Sequence, residues 1–181
     1  MRHIIWKAYF DYQKEEEWLN QMASKGLNLE SYSWCRYVFE DGVKGKYAYR
    51  IVLMKDKPET VEGQKYLEFL EEMNIKHISS YWKWVFLRKE VADGPFDIFS
   101  DLESKIEHNK RFLKFVVPIW LLNCIAGVAN ILIVVALLSE GRPVINYIGI
   151  LNIIVAVVMF FPIYKSYKKI QKYKEELKIR E

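Results

Sequence analysis

Three consecutive acids (Glu15, Glu16 and Glu17), three scattered histidines (His3, His77 and His108) and two cysteines (Cys35 and Cys124) have the most chemistry to offer in this chain. Paired carboxylates can act as general acid and base when a pocket separates their pKa values and places a reacting group between them. These acids instead open a helical stretch, DYQKEEEWLNQMASK, where negative charge complements the helix dipole. His108 lies near Glu103 and Glu107 on a segment that reads as a solvated helix face, and no metal site is expected there. Cys35 sits in a strand-like run and Cys124 in an apolar one, so neither a disulfide nor a zinc spacing is expected; Cys35 reads as a small buried hydrophobe. No nucleophile motif and no glycine-rich phosphate loop occurs. Neither an enzyme nor a bound cofactor is expected.

Binding is the better prospect. KGKYAYRI (44–51) has the outline of an RNA-binding strand, which needs aromatics at its third and fifth places for base stacking. Lys46 and Ala48 stand there, while Tyr47 and Tyr49 have the opposite phase. Those tyrosines are expected under helices, and no direct nucleic-acid contact is expected. The strand-like runs are rich in aromatics: Trp34, Tyr37, Phe39, Trp82, Trp84 and Phe86. Core packing accounts for many of these. The alternation of Trp82, Trp84 and Phe86, with Trp34 beside them, also marks one sheet face as a candidate surface for a protein partner or a small ligand.

The elements that would position this face follow from periodicity. His3 to Phe10 reads as a strand. Residues 11–25 read as a helix with Trp18, Leu19 and Met22 on one face and Gly26 as its C-terminal glycine. LNLESYSWCRYVFE and KGKYAYRIVLM flank the turn-like DGV and read as a hairpin. A second helix opens near Pro58 and Glu59, with Tyr66, Phe69, Leu70 and Met73 on its apolar stripe. IKHISSY and KWVFLRK read as closing strands. The expected fold class is α+β: a ferredoxin-like βαββαβ domain with one added strand over 1–93, followed by a two-helix transmembrane hairpin.

The hairpin is read from charge. Residues 115–138 and 144–164 contain no Asp, Glu, Lys, Arg or His and extend about 36 and 31 Å at the helical rise, enough to cross a bilayer. Residues 139–143 form a short external turn. Lys105, Lys110, Arg111 and Lys114 precede the first span, and a basic tail over 165–181 follows the second; both termini are therefore expected in the cytoplasm. Lys165, Lys168, Lys169 and Lys172 are expected to meet lipid headgroups. Residues 94–114 read as a GPF linker and a juxtamembrane helix. Ser100 and Glu103 form its capping box, Leu102, Ile106 and Leu113 share a face, and Pro118 lies at the bilayer surface. This helix either runs into the first span or lies separately on the membrane. Asn123, Gly127, Asn130 and Asn152 are candidate packing positions, within the hairpin or in a homo-oligomer formed through the spans.

Charge is divided along the chain: residues 1–110 hold 17 Lys/Arg against 19 Asp/Glu, and residues 111–181 hold 10 against 4. The basic pI thus belongs to the membrane end and does not argue for nucleic acid. The N-terminal stretch has no apolar core of signal-peptide length. The segments EEEWLNQMASKGLNLES, CRYVFE, YAYRIVL, YLEFLEE and GPFDIFSDLESKIEHNKR resemble a family of bacterial membrane proteins known as a domain of unknown function. Its members are often encoded beside PadR-type transcriptional repressors. The resemblance implies a cytoplasmic domain held at the inner membrane, with such a repressor as a partner, and carries over no catalytic residue. The function expected is a non-catalytic regulatory or sensing module, membrane-anchored, that binds a protein partner or small ligand. The alternative is a small accessory subunit of a membrane transporter or envelope-stress complex.

Overall fold

The computed structural model describes residues 1–99, 101–141 and 147–180 and divides into two units, Met1–Ser100 and Asp101–Glu181. The first unit runs β1 (Arg2–Trp6), α1 (Tyr12–Ser24), β2 (Leu27–Ser33), β3 (Arg36–Asp41), β4 (Tyr47–Leu53), α2 (Val61–Glu72), β5 (Lys76–Tyr81) and β6 (Trp84–Glu90), then a short 3-10 turn. The fold class is α+β, but the strands form two antiparallel three-stranded sheets, in the orders β1-β3-β2 and β4-β6-β5. Among the described residues the strands do not form the single ferredoxin-like sheet expected from the sequence.

The difference arises at Trp34 and Cys35. LNLESYSWCRYVFE is not one strand; it folds back on itself, with Ser33 paired to Arg36. Trp34 and Cys35 take φ of 42° and 64°. Two left-handed central residues are what a two-residue type I′ turn requires, a place that normally takes Asn and Gly. Neither residue is a turn former, so the hairpin is silent in the sequence, and β3 and β4 belong to different sheets. Cys35 is consequently a half-buried turn residue and a free thiol rather than a core strand residue.

What emerges is one βαββ unit built twice. Ser33↔Arg36, Tyr32↔Tyr37, Ser31↔Val38 and Leu29↔Phe39 in the first unit answer to Tyr81↔Trp84, Ser80↔Val85, Ser79↔Phe86 and His77↔Leu87 in the second. Each hairpin skips one residue at the same step, between Leu29 and Ser31 and between His77 and Ser79. Each first strand ends on the same bond, Lys7 N–H to Cys35 O and Met54 N–H to Lys83 O, both at 2.9 Å. Each helix closes alike, on Met22 and Ala23 or on Leu70 and Glu71, before a left-handed residue, Gly26 or Asn74.

Two buried clusters hold this unit together. Leu19, Met22, Leu29, Tyr37, Phe39, Tyr49, Ile51 and Phe86 form one, joining α1 to both sheets. Val52, Leu67, Leu70, Ile75, Val85, Leu87 and Phe96 form the other, under α2. Strand β6 sends Phe86 to the first and its neighbours Val85 and Leu87 to the second, so both faces of its sheet are covered. On α2 the buried line is Gly63, Leu67 and Leu70, while Phe69 and Met73 are 53% and 41% exposed. The helix is turned from the expected stripe because Gly63 lies against the Lys57 backbone, where an added Cβ would stand 2.0 Å from the carbonyl oxygen.

The second unit is an antiparallel pair, α3 (Leu102–Ser139) and α4 (Tyr147–Arg180). Helix α3 is continuous through Pro118, so the juxtamembrane stretch and the first apolar segment are one element rather than two. Its cap is Asp101, which accepts from Ser104 N–H at 2.6 Å and from the Ser104 hydroxyl at 2.8 Å. These bonds hold the Asp101 carboxyl below its usual range. Ser100, expected as the cap, lies outside the described residues, as do Arg142 to Asn146 of the turn and the start of the second apolar run. Both helices are long and apolar enough to cross a membrane; 6% and 17% of their most apolar windows are buried, unlike core helices of a soluble protein.

Candidate functional site

Helix α1 carries the chemistry. Asp11 caps it by accepting from Gln13 N–H at 2.9 Å. The helix then turns Glu15, Leu19, Met22 and Ala23 inward. Glu15 is therefore a core residue, 9% exposed, and its neighbour Glu17 alone of the three acids stands in solvent. Glu16 is used differently: it accepts from the Ile51 N–H at 2.9 Å and pairs with Arg50 at 3.2 Å. Asn20 completes this seam, donating to Tyr49 O at 3.0 Å and accepting from Tyr49 N–H at 2.9 Å. Helix α1 thus closes the edge of β4, which would otherwise present open backbone groups.

The Glu15 carboxylate receives the Tyr37 hydroxyl at 2.6 Å, a buried contact. Burial pushes the Glu15 carboxyl up to about 7, and the Tyr37 bond offsets part of that rise. Tyr37 is itself pushed far above the ordinary phenol range, first by burial and then by the neighbouring Glu15 charge. Tyr32 is raised to about 12 by burial, with the Cys35 backbone bond opposing. No ion pair between Glu15 and a basic side chain exists among the described residues. Aromatic rings pack around the acid's partner Tyr37: Trp18 meets it edge-on at 4.8 Å, Tyr32 lies 4.8 Å from it, and Tyr9 lies 5.7 Å from Trp18. Tyr9, Trp18 and Tyr32 are half-buried and pack against the cluster that contains Tyr37. The Tyr9 hydroxyl is buried with no hydrogen-bond partner.

The expected face does not assemble. Trp34 and Trp82, 70% and 45% exposed, occupy the two hairpin turns rather than strands. Trp84 is half-buried against Tyr12 at 5.4 Å, and Phe86 is core, 4.5 Å from Tyr32. Only Trp84 and Phe86 join the aromatic cluster around α1. The sequence reading missed Glu15 by assigning all three acids to the helix dipole. The signal was there: Glu15 precedes Leu19 by four and Met22 by seven, on the apolar face.

In the helical pair, Asn123 and Asn130 donate to carbonyls one turn back on their own helix, Ile119 at 3.0 Å and Ala126 at 2.8 Å. The close approach is at Gly127, whose absent Cβ faces Asn152 Cβ at 3.7 Å and Ile153 Cγ1 at 3.8 Å. One bond between the helices is not suggested by the spacing, Trp120 Nε1–H to Ala156 O at 2.9 Å. Lys165, Lys168 and Lys172 are exposed and Lys169 is half-buried on α4, which continues the second apolar run and the basic tail as one helix. Among the described residues no group of three His, Cys, Asp or Glu is placed to hold a metal.

Neither a curated protein nor a solved structure matches the chain. A family model described as a protein of unknown function (DUF2812) matches residues 11–121, from the cap of α1 into the apolar part of α3. The chain therefore belongs to that family.

Proposed function

We propose that this protein is a membrane-anchored regulatory or sensing module whose α+β unit binds a small ligand or a protein partner on the cytoplasmic side, without catalysis. The observation that carries the reading is the set of half-buried aromatic rings packed around the buried Glu15–Tyr37 pair, on the same chain as two lipid-length helices. Such a cluster offers apolar area and a single oriented charge, the usual ingredients of a recognition site. The lysines around both apolar segments support an arrangement with both termini inside the cell. The family resemblance names a PadR-type repressor as a partner to test.

The helices serve as the anchor in this reading. The Asn123 and Asn130 amides are bonded within α3, and Trp120 and Gly127 pack against α4, which supports reading α3 and α4 as a hairpin. The test is crosslinking and native mass spectrometry of the full chain from native membranes, beside a chain whose two spans are replaced by an unrelated hairpin. A ligand or partner retained by both chains supports the reading. One that is lost with the native spans contradicts it in favour of an accessory subunit, and recovery of nothing bound also contradicts it.

A further inference from the structure

The duplicated fold supplies its own control for Glu15. By the helix closures, Glu15 in the first βαββ unit stands where Gly63 stands in the second; by the strand registers, Tyr37 stands where Val85 does. The same architecture is thus completed once with a hydrogen-bonded acid among aromatic rings and once with a glycine and a valine. The fold does not call for a carboxyl at this place. A buried carboxyl without a basic partner is costly to keep charged and tends to hold its proton, so a cation placed beside it is favoured by the charge it would offset once that proton leaves. The surrounding rings are suited to a cation, since their π faces attract one most strongly where water is excluded. The Lys7 ammonium already rests 4.8 Å from the centroids of both Tyr9 and Trp18.

We propose that Glu15, with Tyr37 and the rings of Tyr9, Trp18 and Tyr32, forms a binding site for an apolar organic cation, an amine or onium group carried on a flat or aromatic body. The positive centre lies against the Glu15 carboxylate and the rings take the apolar body. The Tyr9 hydroxyl, buried and unpartnered, offers a further polar contact at the same place. This inference names a ligand class for the sensing module proposed above and rests on that reading. A cation of this kind partitions into membranes, which suits a sensor held at one.

The test uses the full chain in neutral detergent and two probes of one shape and opposite sign, tetraphenylphosphonium and tetraphenylborate, titrated by tryptophan fluorescence and calorimetry. The site predicts saturable binding of one phosphonium per chain and no saturable binding of the borate. Glu15→Gln is expected to weaken the phosphonium at least tenfold, while Glu17→Gln, on the exposed side of the same helix, leaves it unchanged. In the unsubstituted chain the phosphonium should slow hydrogen exchange in α1 and β3, a readout that holds even where Glu15→Gln does not fold. Equal binding of both probes, equal binding by the Glu15→Gln chain, or protection confined to α3 and α4 would overturn the proposal. Its failure leaves the partner-binding reading to the crosslinking result, so the two can fall separately.

Discussion

Ser79 holds Tyr32 by both of its backbone groups: the Ser79 hydroxyl accepts from Tyr32 N–H at 3.1 Å and donates to Tyr32 O at 2.9 Å. These residues belong to β5 and β2, so one side chain ties the two sheets where their hairpins meet, next to the bulge in β5. Replacing Ser79 by Ala strips a partly buried amide and carbonyl of their partner. A loss of about 1–3 kcal/mol is expected. It should be read as a lower urea midpoint of tryptophan fluorescence, with faster exchange of the Tyr32 amide.

Asn20 does comparable work for the edge of β4. Its amide satisfies Tyr49 N–H and O together. Asn20→Leu should keep the helix and expose the strand edge, costing about 1–3 kcal/mol. Hydrogen exchange at Tyr49 should rise while exchange in β5 and β6 is unchanged. Equal acceleration across the whole first unit would mean that the residue is only a general stabiliser.

The Glu15 carboxyl gives the first unit a definite pH dependence. Its folded value is about 7 against an ordinary 4.5. The folded chain therefore holds a proton that the unfolded chain has released between those values. Stability from this group is complete below about pH 4.5 and is lost as pH rises through about 7, a span worth about 3 kcal/mol. Urea melts at pH 5 and pH 8 should show the Glu15→Gln chain gaining on the native chain at the higher pH. A difference that is flat with pH would contradict the assignment.

Two glycines should respond differently to the same substitution. A Cβ at Gly63 would lie 2.0 Å from the Lys57 carbonyl oxygen, and backbone cannot step aside cheaply. Gly63→Ala is expected to cost at least about 1–3 kcal/mol, the range for overpacking a core. A Cβ at Gly127 would meet α4 side chains at 3.7 Å, an ordinary contact. Gly127→Ala should leave the thermal midpoint of the detergent-solubilised chain within about 1 °C, reflecting a change well below 1 kcal/mol.

The sequence made some of this legible and hid the rest for identifiable reasons. Both helices of the first unit, the closing glycine at Gly26 and the two long apolar helices follow from periodicity and charge, because those features are written in local spacing. The sheet arrangement does not, because the hairpin turn at Trp34 and Cys35 uses residues that carry no turn signal. The repeat was hidden in the same way. Its two halves share bulges, registers and helix closures but few residue identities, as Glu15 against Gly63 and Tyr37 against Val85 show. The cap of α3 shifted by one residue, from Ser100 to Asp101, a distance at which neighbouring capping residues compete on equal terms. Trp34 and Trp82 looked like a strand face because alternation cannot distinguish a strand from the turn at its end.

The central proposal is that the two long apolar helices span a membrane and hold the α+β unit on its cytoplasmic face. Trp34 lies at an exposed turn of that unit, 70% accessible, and gives it a handle. A full chain carrying Trp34→Cys, treated with a membrane-impermeant maleimide, should be labelled in sealed inside-out vesicles and protected in intact cells. Labelling in intact cells, or recovery of the chain outside the membrane fraction, would contradict the account.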